Sequence, residues 1–557
     1  MRIARRMAVT TTLAVLLVAA PAHAQSGASL QPRTGGTLRM TSLPEPTTLN
    51  PYFSSDITIR MLGNLNLEGL THVAPDGSFV PALAAEIPTQ TNGDVSPDGT
   101  VVNWKLKPDV VWSDGEPFTS QDVLFTYELI MDPANPVLDR SDYRAMESVV
   151  APDNTTVVVT YKQLYAPYRL AFPRIFPAHV FNARTNIADD PFNQFPNVTT
   201  GPFVLTSPAT ADSITYQRNP RYREPGKPYV DEVVFKFTPS RDVAMQTLQA
   251  GEVDATYSLD PSYLPQLESL PDVRVQPAPA SVLQLFMNES CPSGPQQGDP
   301  SCSHPILGDL RVRQAIDMAI DKRALAQGLM QGRVEPTGSL LPAGLFKVDR
   351  PAGDFNPDGA RQLLDQAGWI VGPDGTRARD GVRAHVSIMS VIGNRLVEQT
   401  VQVIEGELQD VGIETEGKGS TLSVLGGGFA TNSPFYLGNF DMAVFMRSVP
   451  VDPQVYLYTQ FGSSQVPTPQ IQTGQNWVRV QDPRLDQALA AAAGTLDDNQ
   501  RRAAYASFSE LIQADEAVIP LYPTLQVDAR KTYVEGWGPT NINEPVTWNI
   551  QDWWLNQ

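Results

Sequence analysis

The sequence predicts a mixed α/β protein built from several domain-sized units, and three observations carry that expectation. The chain has 557 residues, which corresponds to roughly three to five units of ordinary size. Its 49 prolines and 39 glycines cut it into short β-branched runs and medium amphipathic segments, never one long periodic element. Internal repeats and low-complexity tracts are absent, and 41% hydrophobic with 18% charged residues fits a loop-rich globular chain with a sizeable core.

The charge balance narrows the function classes. Lys+Arg 41 against Asp+Glu 60 gives −19 and a pI near 4.7. Such a field repels phosphate backbones and anionic headgroups, which excludes nucleic-acid and peripheral-membrane roles and favours solubility.

Taken in order, the chain opens on Arg2, Arg5 and Arg6, followed by an apolar run from Ala8 to Ala20 and then Pro21-Ala22-His23-Ala24. A basic start, a short apolar stretch and an A-x-A exit make a secretory signal peptide over residues 1–24, cleaved after Ala24. The run is too short for a membrane span, which needs about 20 apolar residues. With no cysteine near the cleavage point there is no acceptor for a lipid anchor, so the mature protein is expected to be periplasmic. Arg5-Arg6 leaves the twin-arginine route open beside the general secretory one.

Strand-like runs follow at Gly36–Met40, Thr156–Tyr161 and Glu232–Phe237. Thr119 with Asp122 three residues later reads as a helix cap, and Val123, Phe125 and Ile130 supply the apolar face behind it. Cys291 and Cys302 enclose a Pro/Gly/Ser-rich loop, and in an oxidising compartment they are expected to form a disulfide. Leu310–Met330 reads as one or two amphipathic helices with Val312, Ile316, Ala319 and Ile320 inward and Arg311 and Arg313 on the solvated face. Leu396–Leu408 and Arg501–Ile512 are two further helices.

Catalytic signatures mostly fail. Gly412–Gly419 has the glycine and lysine spacing of a phosphate loop. However, Gly419 stands where Ser/Thr must hold magnesium, and the segment runs from helix into strand, the reverse of what phosphate cradling needs. No G-x-S-x-G or S-x-x-K occurs, and the five histidines have no metal spacing. Paired carboxylates for glycoside hydrolysis remain open among 60 acids. No cofactor or metal is expected.

Several segments together resemble the large solute-binding proteins of ABC importers, the peptide, oligopeptide and nickel-binding family. They are Gly35-Gly36-Thr37-Leu38-Arg39 with Pro46-Thr47-Thr48-Leu49-Asn50-Pro51, the run Trp112-Ser113-Asp114-Gly115-Glu116-Pro117-Phe118-Thr119, Gly201-Pro202-Phe203, Asn219-Pro220-Arg221-Tyr222, Gln249-Ala250-Gly251-Glu252-Val253-Asp254 and Gln366-Ala367-Gly368-Trp369. They fall in the family's order and cover the chain from about residue 35 onward. The resemblance implies a two-lobe periplasmic-binding-protein fold with hinge strands and an extra subdomain in lobe I. Lobe I would take 36–75, 198–281 and 515–557, its extra subdomain 76–197, and lobe II 282–514. It also implies a monomer that closes on a small ligand and presents it to an inner-membrane permease.

The resemblance also points to ligand positions. In the dipeptide binders an arginine before the 396–408 helix holds the ligand carboxylate, and an aspartate before a later Asp-Pro holds its amine. Those positions fall here on Val391, with Arg395 nearby, and on Val449. Both ionic anchors are thus valine, which disfavours a zwitterionic dipeptide because a buried ligand charge would lack a partner. Arg447 lies on the same strand face as Val449 and is an anion or hydroxyl donor or, alternatively, one member of an ion pair. Tyr436 and Trp477 can stack on a ligand ring or pack in a core. Glu45 and Asn394 sit in loops that line the cleft in relatives, while Asp452-Pro453 reads as a structural turn. A secreted hydrolase acting on glycosides or peptides is the competing reading, and a chemoreceptor or assembly partner a third.

Overall fold

The computed structural model describes residues 31–42, 45–207, 212–472, 474–539 and 544–557. The expected signal peptide and its cleavage point lie outside these residues. Two long strands, Val273–Met287 and Val518–Lys531, run antiparallel through the middle of a ten-stranded mixed sheet. On the first flank the order outward is Ala255–Leu259, Thr37–Ser42, Glu232–Phe237, Ser213–Arg218 and Phe203–Ser207. On the second flank it is Met442–Arg447, His385–Val391 and Glu414–Ser420.

Each long strand serves both flanks. Val273–Ala278 faces Gln526–Lys531 beside the first flank, and Val282–Phe286 faces Val518–Pro523 beside the second, with a register shift between Pro279 and Ser281. Pro277, Pro279, Pro520 and Pro523 all sit in this ladder and donate no backbone N–H. The crossing is therefore poor in hydrogen bonds, while each strand is locally stiff because proline fixes φ.

Each flank has its own core. Leu38, Met40, Phe235 and Trp553 anchor one on the first flank. The second flank carries cores on both sheet faces, one around Ile316, Ile388 and Ile404 and one around Phe435, Phe461 and Phe508. A separate core around Trp104, Trp112 and Phe125 belongs to residues within 67–192, where an antiparallel sheet of Val101–Lys105, Thr156–Tyr161 and Met146–Asp153 packs on the Ser120–Met131 helix. That helix begins in the expected capping box: Thr119 N–H donates to Asp122 Oδ2 at 2.8 Å, and the Thr119 hydroxyl accepts from the first turn.

The remaining expected elements are present with longer ends, at Arg395–Asp410 and Asp498–Asp515, and Leu310–Met330 is two helices that break at Ile320 and Asp321. Cys291 and Cys302 form the expected disulfide, with Cα atoms 5.4 Å apart. Arg313 departs from expectation. It is buried, donating from Nη1 to Leu307 O and from Nε to Asp515 O, with Nη2 2.7 Å from Glu289. The helix packs that side against the end of the Asp498–Asp515 helix, so a charged residue occupies a face that periodicity assigns to water. Arg311 is exposed and held by Asp309.

The 67–192 unit also touches the second flank. Arg169 pairs with Asp498 through bonds of 3.0 and 2.5 Å, its guanidinium lies 4.9 Å from the Phe79 ring, and Leu496 packs on this unit's core. Gly77, at φ +85°, meets the backbone of Leu345 so closely that a Cβ there would lie 2.3 Å from the Leu345 nitrogen.

Candidate ligand-binding cleft

Two cavities open where the long strands pass from one flank to the other, and they share Ser258, Ala280, Ser281 and Gln526 in their walls. The first, of about 410 Å³, takes Arg241 and Asp260–Tyr263 from the first flank and Gly393–Leu396 with Met446 from the second. The other, of about 370 Å³, takes Ile57, Arg60, Glu544 and Pro545 from the first flank and Ser448–Val451 from the second. They form the two sides of one cleft.

The shared wall is built by local strain and a buried acid. Ser258 adopts φ +54° at an irregularity in the Ala255–Leu259 strand, and its N–H donates to Asp528 Oδ1 at 3.0 Å. Burial pushes the Asp528 carboxyl up to about 7, opposed by that N–H bond. Arg241 is held over the same turn by a 2.8 Å bond from Nε to Ser258 O. Across the cleft, Asn394 caps the Arg395–Asp410 helix by accepting from Val397 N–H at 3.3 Å, so the positive helix end and the exposed Arg395 face the first cavity.

The residues singled out from sequence divide into three places. Asn394 and Arg395 line the first cavity, and Val449 lines the second. Glu45 is exposed and lies in neither wall. Val391 ends its strand opposite Ser420, partly buried against the second flank's core and outside both walls. Tyr436, Trp477 and Arg447 gather behind Val449 in that core, with the Tyr436 and Trp477 rings edge to face at 6.0 Å.

Arg447 makes no ion pair with any described residue. Burial holds its guanidinium below its ordinary value, and the Tyr456 and Tyr436 phenols oppose the shift. Asp452 is structural, as its Asp-Pro context suggests, but through a buried bidentate pair with Arg501 at 2.6 and 2.7 Å. The residues missed from sequence, Arg241, Ser258, Ser281 and Gln526, owe their place to long-range strand register, and no local motif marks them.

Known proteins carry the same plan. The model of the bacterial extracellular solute-binding proteins, family 5 Middle, matches residues 78–468, well over half the chain. The chain belongs to that family. Protein XP55 of Streptomyces lividans is 29% identical to this family 5 protein, over 92% of this chain and 89% of the relative. The oligopeptide-binding protein AppA of Bacillus subtilis is 25% identical over 99% and 98%. The solved structure of that AppA with a nonapeptide superposes at a TM-score of 0.72, 24% identity, over 95% of this chain and 100% of the other. The periplasmic EDTA-binding protein EppA superposes at 0.78, with 20% identity over 94% and 97%. The flanks of this solute-binding protein are thus the two lobes of the periplasmic-binding-protein fold, with the proline-rich strands crossing between them. Among its described residues no helix is long and apolar enough to cross a membrane.

Proposed function

We propose that this family 5 protein is exported to the periplasm, cleaved after Ala24, and closes as a monomer on a small organic solute that it delivers to an ABC-importer permease without catalysis of its own. The observation that carries the reading is a cleft walled from both lobes at a hydrogen-bond-poor crossing. Lobe I then comprises 36–75, 198–281 and 515–557 with the extra subdomain 76–197, and lobe II comprises 282–514. The relatives' names favour peptide-like cargo, since they include an oligopeptide-binding and a glutathione-binding protein. An oligosaccharide-like solute fits the same cleft volume.

Three measurements test this. Small-angle scattering should show a smaller radius of gyration once the co-purified solute is restored to stripped protein, and an unchanged profile at saturation would count against two-lobe closure. Mass spectrometry of the native protein should find an unmodified solute, with no turnover of chromogenic glycosides or peptides. A ligand at a hundredfold excess over its dissociation constant stabilises the folded state by about 2.7 kcal/mol, enough to raise the melting temperature by about a degree or more. In a thermal-shift panel of candidate solutes free dipeptides should be silent, because the cavity-wall position that holds the ligand amine in the dipeptide binders is Val449 here.

A further inference from the structure

We propose that Arg447 and the buried indole beside it form a carboxylate-binding box in lobe II, so that the solute carried is an organic acid. The proposal rests on the cleft reading above and names the class of its ligand.

Arg447 ends the Met442–Arg447 strand, opposite Val282, and the chain continues directly into Ser448 and Val449 of the cavity wall. Its guanidinium carbon lies 4.4 Å from the Trp477 ring centre, 4.9 Å from Phe445 and 5.6 Å from Phe286. The rings hold the guanidinium plane but leave its edge unbonded, since Nε and Nη2 are buried without a hydrogen-bond partner. Those two nitrogens form the side-on fork of arginine, whose parallel N–H bonds match the two oxygens of a carboxylate.

The neighbours point the same way. Gln284 stands opposite Phe445 on the strand face that Arg447 shares, the Gln284 and Gln460 side chains hydrogen-bond to the Tyr456 hydroxyl beside Arg447, and Trp477 Nε1 is buried without a partner. Buried polar atoms in folded proteins almost always have partners, so this concentration marks a place for a polar group. The charged group present is a cation, and the groups that bear electrostatically on it are two phenols rather than a carboxylate.

Elsewhere this chain satisfies the arginines it buries for structure. Arg501 has Asp452, and Arg479, next to Trp477, donates to the carbonyls of Gly298, Trp477, Phe435 and Tyr436. Arg447 differs in offering a complete fork beside a ligand cavity. An acid lacking a cationic end also agrees with Val449 in the cavity wall.

The test uses acetate as the probe and acetamide as its neutral isostere, on the full chain stripped of co-purified solute. Wild-type protein should melt about a degree or more higher in acetate than in chloride of equal ionic strength, with no response to acetamide. Arg447→Met should lose the acetate response and melt at or above the wild type, because it removes an unpaired buried charge. Arg447→Lys keeps the charge without the fork and should also lose most of the response. A Met variant that fails to fold or melts several degrees lower would make the residue structural and overturn the proposal. So would equal responses to acetate and chloride in wild type, or an acetate response surviving in the Met variant. The box lies within one lobe, so acetate binding does not require closure. A positive acetate result with no scattering change for any solute would sink the transport reading alone.

Discussion

Arg501 and Asp452 are both almost fully buried and bonded to each other through two oxygens, with Tyr505 accepting a further bond at 2.6 Å. Removing one partner strands the other charge, so Asp452→Ala should cost about 3–5 kcal/mol and lower the melting temperature by several degrees. At the other end of the Asp498–Asp515 helix, burial pushes the Glu289 carboxyl from near 4.5 up to about 8, with Arg313 opposing the shift and Asp515 adding to it. The folded state therefore holds a proton that the unfolded chain releases. The associated stability is complete below pH 4.5 and declines as pH rises through about 8. A melting series across that window should fall with pH, and Glu289→Gln should lessen the fall without abolishing it, because burial also raises the Asp528 and Glu407 carboxyls to about 7 and Glu516 to about 8. Single residues were legible from sequence where the signal is local. The Thr119 and Asp122 cap is three residues long and could be read directly, whereas Arg313 is paired by contacts with residues 24 and about 200 positions away, outside any window of periodicity.

At the scale of elements, the strands at 156–161 and 232–237 and the capped helices follow from alternation and caps, and they fold where those patterns place them. The cleft does not follow in this way, because Ser258, Ser281 and Gln526 meet only through strand register across the whole chain. The prolines at the crossing have a mechanical reading: each strand behaves as a stiff rod while the ladder between the rods is weak. Pro279→Ala with Pro523→Ala restores two amides, and ligand-induced scattering change should shrink while hydrogen exchange around 278–282 slows. The Cys291–Cys302 loop is a smaller element with a simple expectation. Closing its 11-residue separation should contribute about 3 kcal/mol in the chain-entropy model, so reduction should lower the melting temperature.

On the scale of the whole molecule, the two lobes meet in two kinds of place. They meet at the crossing strands and, away from those strands, where the 67–192 unit touches the second flank through Arg169–Asp498 and Gly77–Leu345. An opening that separated these surfaces would break the ion pair, so the pair is expected to slow release of a bound solute. Because the pair is only partly shielded, salt should loosen it. Stopped-flow tryptophan fluorescence with the co-purified solute should show release accelerating several-fold between about 0.05 and 0.5 M salt, with capture nearly unaffected. Asp498→Asn should release fast at every salt concentration. A binding protein so arranged is expected to hold its cargo longest in dilute surroundings and to let go sooner in brine.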